Sequence, residues 1–189
     1  GGGLAMGGDY LRGETGNAAD VAVMPAGPSR LPSAPQGPQT DILLTRASLN
    51  ALIRHLRHCG AHVSGLGDLP GAMNAHPDAV DEWMDDCVDA LAGPLLAMRA
   101  LLDISLVVVD SDLDRVWIDR LIARLEKALA AGVAEARTPP VVRAGLFGPY
   151  AGALGAASLP LFVHFSPRAG ILTGEAAVGV KGGSEHVFA

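Results

Sequence analysis

The sequence is short of three residue classes, and each shortage excludes something. Its 189 residues hold two cysteines, Cys59 and Cys87, too few for a disulfide framework or a four-thiolate zinc site. Aromatic residues are 4% of the chain, so the core must be aliphatic, with small residues allowing close backbone approach. Lys and Arg number 14 against 20 Asp and Glu, a net charge of -6. That balance argues against a basic surface tracking nucleic-acid phosphates. Gly1-Gly2-Gly3-Leu4-Ala5 has no basic segment followed by an apolar run, so no secretory signal is visible and a cytoplasmic protein with reduced thiols is expected. The chain opens without Met and is expected to be cut from a longer one. Neither a Walker A loop nor a G-x-S-x-G turn occurs.

What remains is rich in apolar residues, 49% by count with 18% charged, which excludes disorder. The length suits one domain or one lobe of something larger. Residues 144–167 carry no formal charge and could span a bilayer, but Pro149, Pro160, Pro167 and His164 interrupt them. A loop followed by a buried Gly/Ala-rich helix is the expectation, although Gly148 to Gly152 has the small-xxx-small spacing of membrane helix pairs.

Periodicity gives the order of elements. Residues 1–24 read as a short β unit: a turn at Gly7-Gly8-Asp9, a second from Gly13 to Gly16, and a strand over Val21 to Met24. Residues 25–40 are a Pro/Gly loop. Thr40 or Asp41 would cap a helix over 42–58. Pro77-Asp78 opens a long helix whose inner face is Val80, Trp83, Met84, Cys87, Val88, Leu91 and Leu95, with a kink or break at Pro94. Its carboxylates Asp78, Asp81, Glu82, Asp85 and Asp86 suit a helix N-terminus and need no function. Ile104 to Val109 reads as a buried parallel strand. Residues 115–131 form an amphipathic helix with Trp117, Leu121, Ile122, Leu125 and Leu129 inward, and 141–147 another short strand. This alternation predicts an α/β fold with a mixed sheet flanked by helices. Residues 169–189 are expected to fray.

At this point the ordered set resembles a family. Gly1-Gly2-Gly3-Leu4, then Gly8-Asp-Tyr-Leu-Arg-Gly13, then Gly16-Asn-Ala-Ala-Asp-Val21 resemble the middle of ROK proteins, which are bacterial sugar kinases and sugar-responsive repressors. The acidic helix, the two strands, the helix between them and Gly155-Ala-Ala follow in family order. The resemblance covers most of residues 1–165 and implies the second lobe, residues 1–168, of an actin-like, ribonuclease-H-like fold. Sugar and nucleotide would lie between this lobe and one outside the chain, which would also supply the catalytic Asp. Where the family has Glu and His in "G-E-I-G-H", this chain has Asp20 and Val23. Asp20 keeps a carboxylate; Val23 can donate nothing. The family's zinc cluster, "C-x-C-G-x-x-G-C", has no counterpart, and Ile42 falls near its last Cys. After the strand at 104–109, where many kinases of the fold have a glycine pair, stands Asp110-Ser111-Asp112, whose carboxylates repel an anionic nucleotide.

The resemblance therefore implies a non-catalytic sugar-binding lobe of a transcriptional regulator. Asp20, Gly16 and Asn17 would hold the sugar, and Gly1, Gly2 and Gly3 would line a degenerate nucleotide side. No cofactor, metal or membrane is expected, DNA is reached only through a domain outside the chain, and homo-oligomers are expected. The alternatives are an ATP-dependent hexose kinase of the same family, and an interaction module that dimerises through its open edge and Gly/Ala helix. Two further patterns stand apart. Asp110, Asp112 and Asp114 alternate as in a calcium loop but lack its later glycine and Glu, so a helix-capping turn is preferred. His55, His58 and His62 with Cys59 could bind a metal, but a basic helix end before Gly60 explains them more simply.

Overall fold

The computed structural model describes residues 1–6, 9–37, 41–133 and 137–165. It divides into two compact units, Gly1 with residues 21–151 and residues 2–20 with 152–189. In chain order the elements are strands β1 (Ala5–Met6) and β2 (Asp9–Tyr10), then helices α1 (Leu43–Arg46), α2 (Leu49–His58), α3 (Leu69–Ala75) and α4 (Pro77–Leu102). Strand β3 (Leu106–Val109), helix α5 (Arg115–Gly132), strand β4 (Val141–Ala144) and helix α6 (Ala151–Phe165) follow, with 3-10 turns at Val21–Val23, Leu66–Asp68 and Gly148–Tyr150. The fold is mixed α/β and mostly helical.

In the larger unit α4 is the spine. Proline at its first turn costs no hydrogen bond, and Asp78 complements the helix dipole. It runs through Pro94 as one helix where a kink or break was expected, so the break is absent, and it stops where Asp103 turns left-handed at φ 54°. Helices α1, α2, α3 and α5 all pack on it. Leu52, Leu56, Met73, Val80, Met84, Leu125 and Leu129 are fully buried between them, each contributing about 1.5–3 kcal/mol of transfer free energy.

Strands β3 and β4 run parallel, with Val107 opposite Val142 and Val109 opposite Ala144, joined through α5. Those four residues face the helical core, whereas Leu106, Val108 and Val141 are exposed. The ladder is thus covered on one face only, and β3 is not the doubly buried strand that its uncharged sequence suggested. Antiparallel β1 and β2 pair Ala5 with Tyr10 and Met6 with Asp9. Among the described residues these are two separate two-stranded sheets.

Four further expectations are corrected. The segment Val21–Val23 is a 3-10 turn, not a strand; the extended pairing lies just beyond, at Pro25 opposite Ile42. The helix expected over 42–58 is two, because the Ser48 hydroxyl accepts from the Ala51 amide and starts a new helix there. Asp41 caps neither; its carbonyl accepts from the Ala26 amide. Helix α6 is exposed at Leu154, Leu159, Leu161 and Phe165 rather than buried; it is apolar all round, with no single stripe to turn inward. Among the described residues no helix is long and apolar enough to cross a membrane. The Gly7-Gly8 turn, Thr40 and the tail after Arg168 lie outside the described residues.

Leu125→Ala is expected to destabilise the chain by about 2–5 kcal/mol, through lost transfer energy and a residual cavity. Val116→Ala, at an exposed position of the same helix, should stay within about 0.5 kcal/mol. Urea denaturation of both variants measures this.

Candidate functional site

The sugar-binding residues expected from the sequence share one tightly wound loop. Gly13 and Gly16 have left-handed backbones, φ 74° and 80°. A Cβ on Gly13 would lie 2.9 Å from the Ala18 Cβ, because the Ala18 amide returns to donate to the Arg12 carbonyl at 3.1 Å. Ala19, next to Asp20, is itself left-handed at φ 62°, which costs a non-glycine residue about 1–2 kcal/mol. Asn17 and Asp20 are exposed. The Asn17 amide nitrogen donates to the Thr15 carbonyl and hydroxyl at 3.3 Å each, which leaves the Asn17 amide oxygen, with the exposed Glu14 and Asp20 carboxylates, as side-chain acceptors this loop can offer a ligand. Gly1, Gly2 and Gly3 are exposed and lie outside any regular element, with the Tyr10 ring beside Gly3.

The turn after β3 is organised by Asp110. Its carboxylate accepts from the amides of Ser111 at 3.1 Å and Gly148 at 2.9 Å. The same side chain lies over Gly145, whose Cβ would collide with it. Gly148 is left-handed at φ 50°, which turns its amide toward the end of β3. An internal anion therefore holds two backbone donors at the end of the parallel ladder. Asp114 stands at the α5 N-terminus but uses its carbonyl, not its side chain, to accept from Trp117 and Ile118.

Sequence reasoning missed the most buried charge. Arg46 is 2% exposed, at the end of α1. Its Nε and Nη2 clasp the Asp86 carboxylate at 3.1 and 2.7 Å, and Nη2 also reaches Asp89 at 2.7 Å. Its Nη1 donates to the carbonyls of Ala26 and Gly27 at 2.6 and 3.3 Å. Burial would lower the Arg46 pKa, but the bonds and charges of Asp86 and Asp89 outweigh it and hold the group above its ordinary value. The Arg30 amide donates to Asp86, and the Trp83 indole to the Arg46 carbonyl. A shallow cleft beside this network is lined by Met24, Pro25, Asp89, Gly93 and Pro94.

The His/Cys cluster resolves differently from its spacing. His58 and His62 are exposed at the end of α2 and beyond it; with Arg57, His58 gives α2 the basic last turn that the simpler explanation expected. His55 points inward and is fully buried. Its Nδ1 lies 2.9 Å from the Ser33 hydroxyl and its Nε2 2.9 Å from Glu82 Oε2. The Cys59 Sγ is 3.8 Å from the same Nε2. Partial desolvation, then the Glu82 carboxylate, push the Cys59 thiol up. Burial, then Asp86, push Cys87 up to about 12 against the opposing effect of Arg46.

No protein-family model matches the chain, and no curated protein matches it.

Arg46→Ala strands the Asp86 carboxylate in the core and is expected to cost about 3–5 kcal/mol. Asp89→Ala removes only a half-exposed partner and should cost at most about 1 kcal/mol. Chemical denaturation separates them. Alkylation with iodoacetamide at neutral pH is expected to modify Cys59 alone in the native protein, and both thiols in urea, since a buried thiol with a pKa near 12 supplies almost no thiolate. Mass spectrometry counts the adducts.

Proposed function

We propose that the chain is the second lobe of an actin-like, ribonuclease-H-like protein of the ROK type, working in the cytoplasm as a sugar-responsive transcriptional regulator that binds its sugar without phosphorylating it. The observation that carries this reading is the Asp110 carboxylate on the Ser111 and Gly148 amides. Nucleotide phosphates are held in this kind of position by backbone donors approached through glycine. Here those donors already have an anionic partner, and a second anion beside it would be repelled.

The sugar side rests on the Gly13–Asp20 loop. Its exposed acceptors suit sugar hydroxyls, which are donors, and the Asp20 carboxylate makes a charge-assisted bond to one of them. Val23, exposed in its 3-10 turn, adds no polar contact where the family has His. The strain at Ala19 is of the sort retained at ligand-binding loops. In this reading a sugar changes the closure of this lobe on its partner lobe, and closure biases a DNA-binding domain outside the chain. The exposed Leu106, Val108 and Val141 face gives such an assembly apolar surface to cover, in the same protein or between copies of it.

The test uses the full-length protein with ATP and a panel of hexoses and hexose derivatives. No phosphorylated sugar should form, while calorimetry detects binding of at least one panel member. Asp20→Asn should weaken that binding roughly 10–100-fold, the value of a hydrogen bond to a charged group. Sustained ATP-dependent sugar phosphorylation would instead establish the kinase alternative, in which the Asp110 and Asp112 carboxylates would hold a Mg²⁺ ion that offsets the nucleotide's charge.

A further inference from the structure

The His55, Cys59 and Glu82 side chains converge on one point for which the proposed function has no use. Three potential ligand atoms, His55 Nε2, Cys59 Sγ and Glu82 Oε2, lie within 4.8 Å of one another. Two come from one helix end, because His55 and Cys59 are four residues apart and so share a face of α2. The third comes from α4 across the helix pair.

We propose that His55 Nε2, Cys59 Sγ and Glu82 Oε2 form a three-ligand zinc site, with the Ser33 hydroxyl as the outer partner of the histidine. This is independent of the sugar-binding reading. It also uses none of the positions at which the family resemblance implies a zinc cluster.

The spacing fits the ion. Zinc binds these atom types at roughly 2.0–2.3 Å, so the edges of its coordination tetrahedron are about 3.3–3.7 Å. Two edges, 2.9 Å from His55 to Glu82 and 3.8 Å from His55 to Cys59, fall on either side of that range. The adjustment is small, and the moving parts are free to make it: Glu82 and Cys59 are exposed, while the buried His55 is fixed. The outer shell is already built. With its proton on Nδ1, His55 donates to the Ser33 Oγ at 2.9 Å and turns the Nε2 lone pair toward the other two ligands, the arrangement usual for zinc-bound histidine.

The donor set selects the metal. One imidazole, one thiolate and one carboxylate are a borderline set, suited to zinc and unsuited to calcium or magnesium, which require oxygen ligands. Three protein ligands leave a fourth position for water. Binding displaces one proton, from the Cys59 thiol to solvent, as the S–H bond is replaced by a Zn–S bond. The ion would tie the end of α2 to α4, and through Ser33 to the Pro/Gly loop.

The test strips the full chain with a chelator and titrates it with zinc, then with cobalt(II) as a spectroscopic stand-in. The expected result is one ion per chain, a tetrahedral cobalt spectrum with a thiolate charge-transfer band, and protection of Cys59 from iodoacetamide. Cys59→Ala should abolish the charge-transfer band, and with Glu82→Gln should weaken zinc binding by at least about 10-fold; Ser33→Ala should weaken it about 10–100-fold. Cys59→Ala alters an exposed side chain, so its metal-free melting temperature should match that of the parent chain; Glu82→Gln keeps an oxygen acceptor facing His55 and should fold as the parent does. His58→Ala should leave affinity unchanged. The proposal is overturned if no stoichiometric zinc binds, if Cys59→Ala binds as tightly as the parent, or if the cobalt complex lacks the thiolate band. Loss of binding in His58→Ala would also overturn it, by placing the ion on the outer face of α2.

Discussion

A guanidinium at 2% exposure is tolerable only if nearly every donor is matched, and matching Arg46 dictates much of the larger unit. Its partners come from two places that local sequence could not bring together: the Asp86 and Asp89 carboxylates on α4, and the carbonyls of Ala26 and Gly27 in the Pro/Gly loop. A loop of that composition has little apolar area with which to hold itself against a core. The buried charge does it instead. Asp86 reinforces the hold by accepting from the Arg30 amide, and Arg54, one turn into α2, donates to the Ser33 carbonyl. Such a network is a weak source of net stability but a strong source of specificity, since any other docking of the loop leaves a charge unpaired. The short helix α1 follows from it: the chain must turn at Ala47 and Ser48 for Arg46 to point at Asp86 while α2 packs its own apolar face.

The same logic governs the end of the parallel ladder. Backbone amides exposed beyond a strand attract an anion, and the chain supplies its own in Asp110. The carboxylate fixes the Gly145–Gly148 segment, and Gly145 must lack a side chain because the Asp110 carboxyl group lies where its Cβ would be. Conformation and chemistry are thus coupled at one residue. The contact that orders the turn also occupies two backbone donors, the Ser111 and Gly148 amides, that an external anion would otherwise meet there.

Long-period features were legible in the sequence and short ones were not. The helices at 77–102 and 115–132 carry enough turns for their apolar stripes to declare themselves, and the inward residues named from periodicity are those that pack in the core. The strand pair at 106–109 and 141–144 was marked by β-branched runs, but its uncharged composition concealed that only one face is covered. Val21 to Val23 shows the limit. Three residues satisfy an alternation of two by chance, and the backbone followed its local turn bonds, Asp20 to Asn17 and Met24 to Val21, instead. The loop around Asp20 was legible through its glycines, two of which do adopt left-handed backbones. The sequence showed His55, His58, Cys59 and His62 close together, but not that His55 turns inward or that Ser33 and Glu82 meet it, because those places depend on the register of α2 against α4.

That register explains the acidic stretch at the start of α4, which by composition alone looked like one solvated face. It is two. Glu82, Asp86 and Asp89 recur at helical spacing and meet His55 and Arg46 on one side of the helix. Asp81 and Asp85, a quarter-turn away, meet Arg120 and Arg124 of α5, where Arg120 also stacks on Trp117 at 4.8 Å. The α5 pairs are half-exposed, worth at most about 1 kcal/mol each and screened by salt; they orient the helix pair without carrying it. The other side is where charge is buried. A carboxylate can be moved along an exposed face at little cost, but not from 86 to 85, because a shift of one residue turns it some 100° about the axis, away from the guanidinium buried to receive it. The stretch is acidic because two different neighbours each require carboxylates, and only one of them, the Arg46 side, fixes their positions to the residue.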